Sequence, residues 1–207
     1  MSKIDLKDCF AIILHLERAV DRKHNVERLQ EQFKKNKIWK ARDMNLMTEE
    51  QKEKCLDMKY FHRIPNKNSN PKHIMGWCIN AEQHIEILNY IVAEKLDNVI
   101  IFEDDALLIN KDDDLVIDYN GEDYFHLGGW FYKPNKLCKQ HAIYYLSHKI
   151  VRNMLDYLNN PKKLKTIDYM FSNYIQPNFK WGYSNKFYQE GDSLITNGCQ
   201  NKVLESI

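Results

Sequence analysis

The chain has 207 residues, 43% of them hydrophobic and 12% aromatic, which is typical of one packed globular domain. Its 30 lysines and arginines nearly balance its 29 aspartates and glutamates, which excludes a basic nucleic-acid-binding coat and an acidic disordered tail. With only 7 glycines and 5 prolines, the chain is neither collagen-like nor a linker. We therefore predict a single domain over residues 1–207 that binds no nucleic acid.

The five cysteines indicate a reducing compartment. Their number is odd, they are scattered along the chain, and no two have the Cys-x-x-Cys spacing of redox or zinc motifs. The N-terminal apolar run at residues 10–16 is too short to span a membrane and lacks a signal-peptide cleavage pattern. We predict a soluble cytoplasmic protein, which would work only peripherally at any membrane or viral assembly site. These features leave the oligomeric state open.

Hydrophobic periodicity predicts alternating strands and helices. Apolar runs of strand length predict strands at residues 9–16, 38–41, 98–102, 124–127 and 141–146. Apolar residues at helical spacing predict helices at 22–35, 48–60, 76–95, 147–158 and 168–174, and a loop is predicted at 64–73. Thr48 followed by Gln51 is a helix-start signature. This alternation is typical of an α/β fold with a mainly parallel, Rossmann-like sheet flanked by helices.

Three carboxylates, Glu103, Asp104 and Asp105, directly follow the strand predicted at 98–102. Ligands of open α/β sheets bind at the carboxyl ends of strands, where these side chains lie. Because side chains alternate along an extended chain, Glu103 and Asp105 are expected on one side and Asp104 on the other. Their repulsion needs a counter-charge, which Mn²⁺ or Mg²⁺ bridging to a substrate diphosphate would supply. A solvated turn after the strand explains the same residues equally well.

Arg18 and Arg22 follow the first predicted strand and are expected at the same edge of the sheet. Arginine suits contact with phosphate groups or with a planar base. The alternative is an ordinary helix start with solvated charges. A second acidic run, Asp112–Asp114, is interpreted as an exposed loop or a helix start, where carboxylates favour the positive end of the helix dipole.

Two aromatic groups are candidates for stacking on a sugar ring. One follows Gly128-Gly129 and the other lies in a loop-like stretch near the C-terminus. Their members are Trp130, Phe131, Tyr132, Trp181, Tyr183, Phe187 and Tyr188. Ordinary core burial explains most of them at least as well, so they give a carbohydrate ligand only weak support.

Six short segments follow one another in a recognisable order. They are ILHLERAVDR at 13–22, GWCINA at 76–81, IIFEDDA at 100–106, QHAIYYLSH at 140–148, TIDYMF at 166–171 and YQEGDSLI at 188–195. Together they resemble glycosyltransferase family 25, the group related to lipopolysaccharide-type and collagen galactosyltransferases. The resemblance covers residues from about 10 to 195, and its ordered segments are more specific than any one of them alone.

The resemblance implies a GT-A-like fold and a metal-dependent, inverting hexosyltransferase. The sugar would pass from a nucleotide-diphosphate sugar, such as a UDP-sugar, to a hydroxyl of a glycan or glycoprotein acceptor, as in lipopolysaccharide biosynthesis. Asp105 and Glu103 would hold Mn²⁺ or Mg²⁺. The residues expected to contact the donor are Arg18, Arg22, Glu103 and Asp104.

Inversion also requires a general base near the acceptor hydroxyl. Asp168 matches the late aspartate of the family and is the first candidate, with Asp192 second. Asp168 is equally a candidate for a helix N-cap, a position that aspartate favours, and one residue can fill both roles.

The chain departs from the family at three places. His15 stands where the family has asparagine after its first strand, and Asn80-Ala81 replaces a Ser-His pair. No histidine follows His148, so a third metal ligand would be an earlier histidine or a carboxylate such as Asp192. These departures favour a rival hypothesis, a degenerate, non-catalytic glycan- or protein-binding module of the same fold, which the intact acidic run opposes. A nucleotidyltransferase is a further rival, but it would normally bring a glycine-rich phosphate loop.

Overall fold

The computed structural model describes residues 2–57, 71–108, 115–128, 130–133, 136–138, 143–160 and 167–189. The acidic run Asp112–Asp114, most of the predicted loop at 64–73, and Asp192 lie outside these residues. The helices are α1 (Lys23–Gln32), α2 (Glu49–Asp57), α3 (Pro71–Ala93), α4 (His148–Asn159), α5 (Ile167–Met170) and α6 (Gln176–Asn178). A π-helical turn, Phe171–Ile175, joins the last two.

Eleven strands lie in the described parts of the chain. They are β1 (Ser2–Asp5), β2 (Phe10–His15), β3 (Lys35–Lys40), β4 (Val99–Glu103), β5 (Ala106–Leu108), β6 (Val116–Tyr119), β7 (Tyr124–Gly128), β8 (Trp130–Lys133), β9 (Lys136–Cys138), β10 (Ile143–Leu146) and β11 (Trp181–Gln189). Seven form one sheet in the order β3-β2-β4-β10-β7-β11-β5, while β1 pairs with β6 and β8 with β9.

The predicted α/β fold is confirmed. In the main sheet β3, β2, β4, β7 and β11 run in one direction, and β10 and β5 run in the other. The sheet is therefore mainly parallel, with antiparallel β10 inserted between two parallel groups. Because β10 lies antiparallel to both β4 and β7, the carboxyl ends of β2, β4 and β7 still meet at one edge.

The sheet is buried on both faces. Ile12 and Ile101 pack on one face with apolar residues of α3 and α4, whereas Ile13 and Phe102 pack on the other with α1 and β6. Phe33 lies against Phe102 there, with ring centroids 5.1 Å apart. Burial of alternate side chains on opposite faces explains why β2 and β4 read as unbroken apolar runs.

The start of α2 is formed as the sequence predicts. Thr48 N–H donates to Gln51 Oε1 at 2.9 Å, and Gln51 N–H donates to Thr48 Oγ1 at 3.2 Å. This reciprocal pair is a capping box, which satisfies two amides that the helix leaves without intrahelical partners.

Two predicted elements differ from the structure. Helix α3 begins at Pro71 rather than near residue 76, as proline is well tolerated in a first helical turn. The loop-like stretch at 181–188 is strand β11, which pairs in parallel with β7. Gly182 allows this pairing, because a Cβ at that position would overlap the Phe125 ring. The pairing partner is distant in sequence, so local pattern does not reveal the strand.

Two further observations concern the cysteines and the helices. Cys9 and Cys78 are buried and take part in no disulfide. Burial, reinforced by the charges of Asp8 and Asp5, raises the pKa of the Cys9 thiol to about 12, so this thiol stays protonated. Within the described residues, no helix is both long and apolar enough to cross a membrane.

Candidate functional site

Strands β2 and β4 end side by side. They pair in parallel with Leu14 opposite Glu103, so the segments that follow them emerge at the same edge of the sheet. After β4 the chain turns at Asp104 and Asp105, and after β2 it runs through residues 16–22 into α1. This is the edge at which open α/β sheets bind ligands.

Asp104 is the centre of the contacts between these two segments. Its Oδ2 accepts hydrogen bonds from His15 Nδ1 at 3.0 Å and from Leu16 N–H at 2.9 Å. Its Oδ1 accepts one from Arg22 Nη1 at 2.8 Å. The backbone oxygen of Asp104 lies 3.4 Å from Asn25 Nδ2, which donates to it from α1. Four donors, from β2, the segment after it and α1, thus hold one residue of the acidic run.

Arg22 joins the two aspartates. Its Nη1 lies 2.8 Å from Asp104 Oδ1 and 3.3 Å from Asp105 Oδ2, and all three side chains are mostly buried. The expectation that Asp104 and Asp105 face opposite sides is therefore wrong, because these residues form a turn and not an extended strand. Burial alone would lower the pKa of Arg22, but the charges of Asp105 and Asp104 raise it, so the guanidinium stays charged.

Glu103 is held from the other side by α3. Asn80 Nδ2 donates to Glu103 Oε1 at 3.3 Å, and His84 Nδ1 donates to the backbone oxygen of Asn80 at 2.9 Å. Asn80 Oδ1 is buried and has no hydrogen-bond partner. Asn80 belongs to the segment where the chain departs from the family, and the structure brings this departure into contact with the acidic run.

The two candidate arginines have different surroundings. Arg22 joins the carboxylates, whereas Arg18 Nε pairs with Asp43 Oδ2 at 2.8 Å and its side chain is 45% exposed. Asp43 also accepts a hydrogen bond from Asn45 N–H at 2.9 Å, in the turn that follows β3. Arg18 therefore links the segment after β2 to the segment after β3 at this edge.

The candidate general bases are only partly described. Asp168 is the second residue of α5, whose Ile167 and Met170 pack in the core beside α3 and α4. Asp168 therefore lies inside the helix and not at the N-cap position, which precedes Ile167. Asp192, the second candidate, lies beyond the described residues.

Two of the four late aromatic residues pack in the core or against it. Phe187 is fully buried and packs edge-on against Phe102, with centroids 5.1 Å apart. Trp181 packs against the core through Tyr124, with centroids 6.4 Å apart. Tyr183 is half-buried, and burial raises the pKa of its phenol. The interpretation as core aromatics holds for Phe187 and Trp181.

The sequence did not single out Asn25, and it marked His15 and Asn80 only as departures from the family 25 pattern. Asn25 is fully buried on α1. A polar residue at an inward position of an amphipathic helix is the signal that could have marked it, since buried polar groups need partners. Among the described residues, no group of three or more His, Cys, Asp or Glu side chains is arranged to hold a metal ion.

No protein-family model matches the chain, and no curated protein matches it. Solved structures do match. One, at 10% sequence identity and a TM-score of 0.50, is the crystal structure of a glycosyltransferase involved in the glycosylation of the major capsid of PBCV-1; the match covers 89% of this chain and 95% of that chain. Another, at 13% identity and a TM-score of 0.44, is A197 from STIV, covering 89% of this chain and 86% of that chain. The chain shares the fold of the PBCV-1 glycosyltransferase.

Proposed function

We propose that the protein is a glycosyltransferase related to family 25, which moves a hexose with inversion from a UDP-sugar to a hydroxyl of a glycan or glycoprotein. The observation that carries this proposal is the cluster of Glu103, Asp104, Asp105 and Arg22 at the ends of two adjacent parallel strands. Ligands of α/β folds bind at such an edge. The fold itself is shared with a glycosyltransferase. An acceptor in a surface polysaccharide such as lipopolysaccharide would suit this reaction.

The carboxylates of the cluster supply the hard oxygen ligands that a divalent cation prefers. Glu103, Asp104 and Asp105 follow one another where β4 ends, and Arg22 contacts the two aspartates. Asn80 Oδ1 adds a buried oxygen without a hydrogen-bond donor. We assign Asp105 and Glu103 to Mn²⁺ or Mg²⁺, which bind proteins through one or two carboxylates and fill their shell with substrate phosphates and water. The ion would neutralise charge on the leaving diphosphate.

The remaining roles belong to side chains of the chain itself. Arg22 is the fixed positive charge of the cluster, and it is suited to stabilise the charge that develops on the nucleoside diphosphate. Arg18, with its partly exposed guanidinium, is assigned as a second contact to the nucleotide. Asp168 is assigned as the general base that takes the proton of the acceptor hydroxyl, with Asp192 as the second choice.

The alternative function is a non-catalytic glycan- or protein-binding module of the same fold. One observation favours it: Asp104, a member of the acidic run, is occupied by donors of the protein. The acidic run and Arg22, which lie together at the ligand-binding edge of the sheet, favour the enzyme.

A screen of nucleotide sugars tests the proposal. We expect a UDP-sugar together with Mn²⁺ to raise the melting temperature of the protein, since a ligand that binds only the folded state stabilises it. In the same mixture the protein should slowly hydrolyse the UDP-sugar, which is measured as release of UDP. UDP-sugar without metal, and metal without nucleotide, are the controls. If neither stabilisation nor hydrolysis occurs with any nucleotide sugar and any of several divalent metals, the enzyme proposal is wrong.

Asp168→Asn tests the assignment of the base. Asparagine has nearly the shape of aspartate but cannot accept a proton, so we expect donor binding to persist while sugar transfer falls about 100-fold. Donor binding is measured by thermal shift and transfer by product formation. Asp156→Asn, at an exposed position on α4, is the matched control and should transfer at the normal rate. Full turnover by Asp168→Asn would show that another residue is the general base, and Asp192 would be the next candidate.

A further inference from the structure

The carboxylate of Asp104 has little capacity left for a ligand. A carboxylate offers about four sites for hydrogen bonds, and His15, the Leu16 amide and Arg22 occupy three of them. The side chain is 6% exposed. The donors come from two segments, the end of β2 and the segment that leads into α1, so the carboxylate joins both to the turn after β4.

We propose that Asp104 is a positioning residue rather than a ligand of donor or metal, and that His15 clamps it so that Arg22 is held against Asp105. This inference rests on the proposed function, for which it assigns how the charged groups are held in place. Asp104 fixes Arg22 directly, through one short hydrogen bond. It fixes Glu103 and Asp105 indirectly, because they are its neighbours on either side in the chain.

The direction of the hydrogen bond shows which ring nitrogen of His15 carries a proton. A carboxylate only accepts hydrogen bonds, so the proton must lie on His15 Nδ1, which is 3.0 Å from Asp104 Oδ2. The contact requires a proton on Nδ1, in the neutral ring or in the imidazolium, and excludes the neutral Nε2–H tautomer. Asparagine places its amide nitrogen at about the same distance from the backbone as Nδ1, and so it can make the same contact. Leucine has similar bulk but no donor.

The variants His15→Asn and His15→Leu test the clamp. The probe is UDP with Mn²⁺, and its affinity is measured by calorimetry for the wild type and both variants. We expect His15→Leu to weaken binding about tenfold, the effect of losing one hydrogen bond to a charged group. His15→Asn should rescue binding to within about threefold of the wild type. The clamp is wrong if His15→Leu binds as the wild type does, or if His15→Asn loses as much as His15→Leu, which would mean that the ring itself is required.

The tautomer of His15 provides a test that needs no ligand. Long-range nitrogen–proton NMR spectra of the imidazoles distinguish the Nδ1–H from the Nε2–H form in the ligand-free wild type. The His15 signals are identified among those of the 8 histidines by their absence from the His15→Asn spectrum. A proton on Nδ1 is expected, in the neutral ring or in the imidazolium, and the neutral Nε2–H form would overturn the clamp. A wild type that binds no UDP would contradict the proposed function, while the tautomer would still decide the clamp.

Discussion

We expect Asp105→Asn to lower sugar transfer by about 1,000-fold and to abolish stabilisation by UDP-sugar with Mn²⁺. The buried carboxylate lies beside Arg22 just after β4, in the cluster to which we assign the divalent cation. A neutral amide of the same shape removes one negative charge from that cluster and weakens its attraction for the ion. Loss of one preorganised electrostatic contact to a transition state commonly lowers the rate by about 100- to 1,000-fold.

The prediction separates a functional from a structural role of Asp105. Arg22 keeps its shorter contact with Asp104 in this variant, so the melting temperature without ligands should stay close to that of the wild type. Mn²⁺ titrations in the presence of UDP, followed by thermal shift, measure the loss of binding. Asp118→Asn, exposed on β6, is the matched control and should behave as the wild type. Unchanged metal dependence in Asp105→Asn would place the ion elsewhere.

The position of the candidate site could be predicted because its signal is local. The apolar run at 99–102 followed at once by three carboxylates indicates a buried strand that ends at a ligand-binding edge, and the structure has β4 ending at Glu103. The run at 10–15 indicates a second such strand in the same way. Hydrophobic periodicity and composition therefore predict an α/β fold, and the ends of the predicted strands place Arg22 near the carboxylates.

The contacts within the site could not be predicted, because they join residues far apart in the chain. His15 and Asp104 are separated by 89 positions, and Asn80 and Glu103 by 23. Strand pattern places such residues at an edge, but only the register of β2 against β4 decides which side chains meet. The turn at residues 104–105 also reverses the strand alternation that the sequence suggests. The contacts of Asp104 and Arg22 thus emerge only from tertiary structure.

The second large effect concerns Arg22. We expect Arg22→Gln to reduce the free energy of unfolding by about 3 kcal/mol, because it leaves Asp104 and Asp105 close together without their positive partner. Breaking a buried ion pair by removing one partner typically costs about 3–5 kcal/mol. Urea unfolding measures the change. Arg18→Gln removes an arginine that is 45% exposed and paired with Asp43, and its cost should stay below about 1 kcal/mol.

Arg22→Lys distinguishes the charge of Arg22 from its geometry. Lysine restores the positive charge, so this variant should recover part of the stability that Arg22→Gln loses. Its ammonium is more strongly hydrated and lies on a flexible stem, so it is not held in the position of the guanidinium, and affinity for UDP should remain below that of the wild type. If Arg22→Lys restores both properties, charge alone suffices and the fixed orientation set by Asp104 has no function. If Arg22→Gln unfolds like the wild type, the buried network does not stabilise the fold.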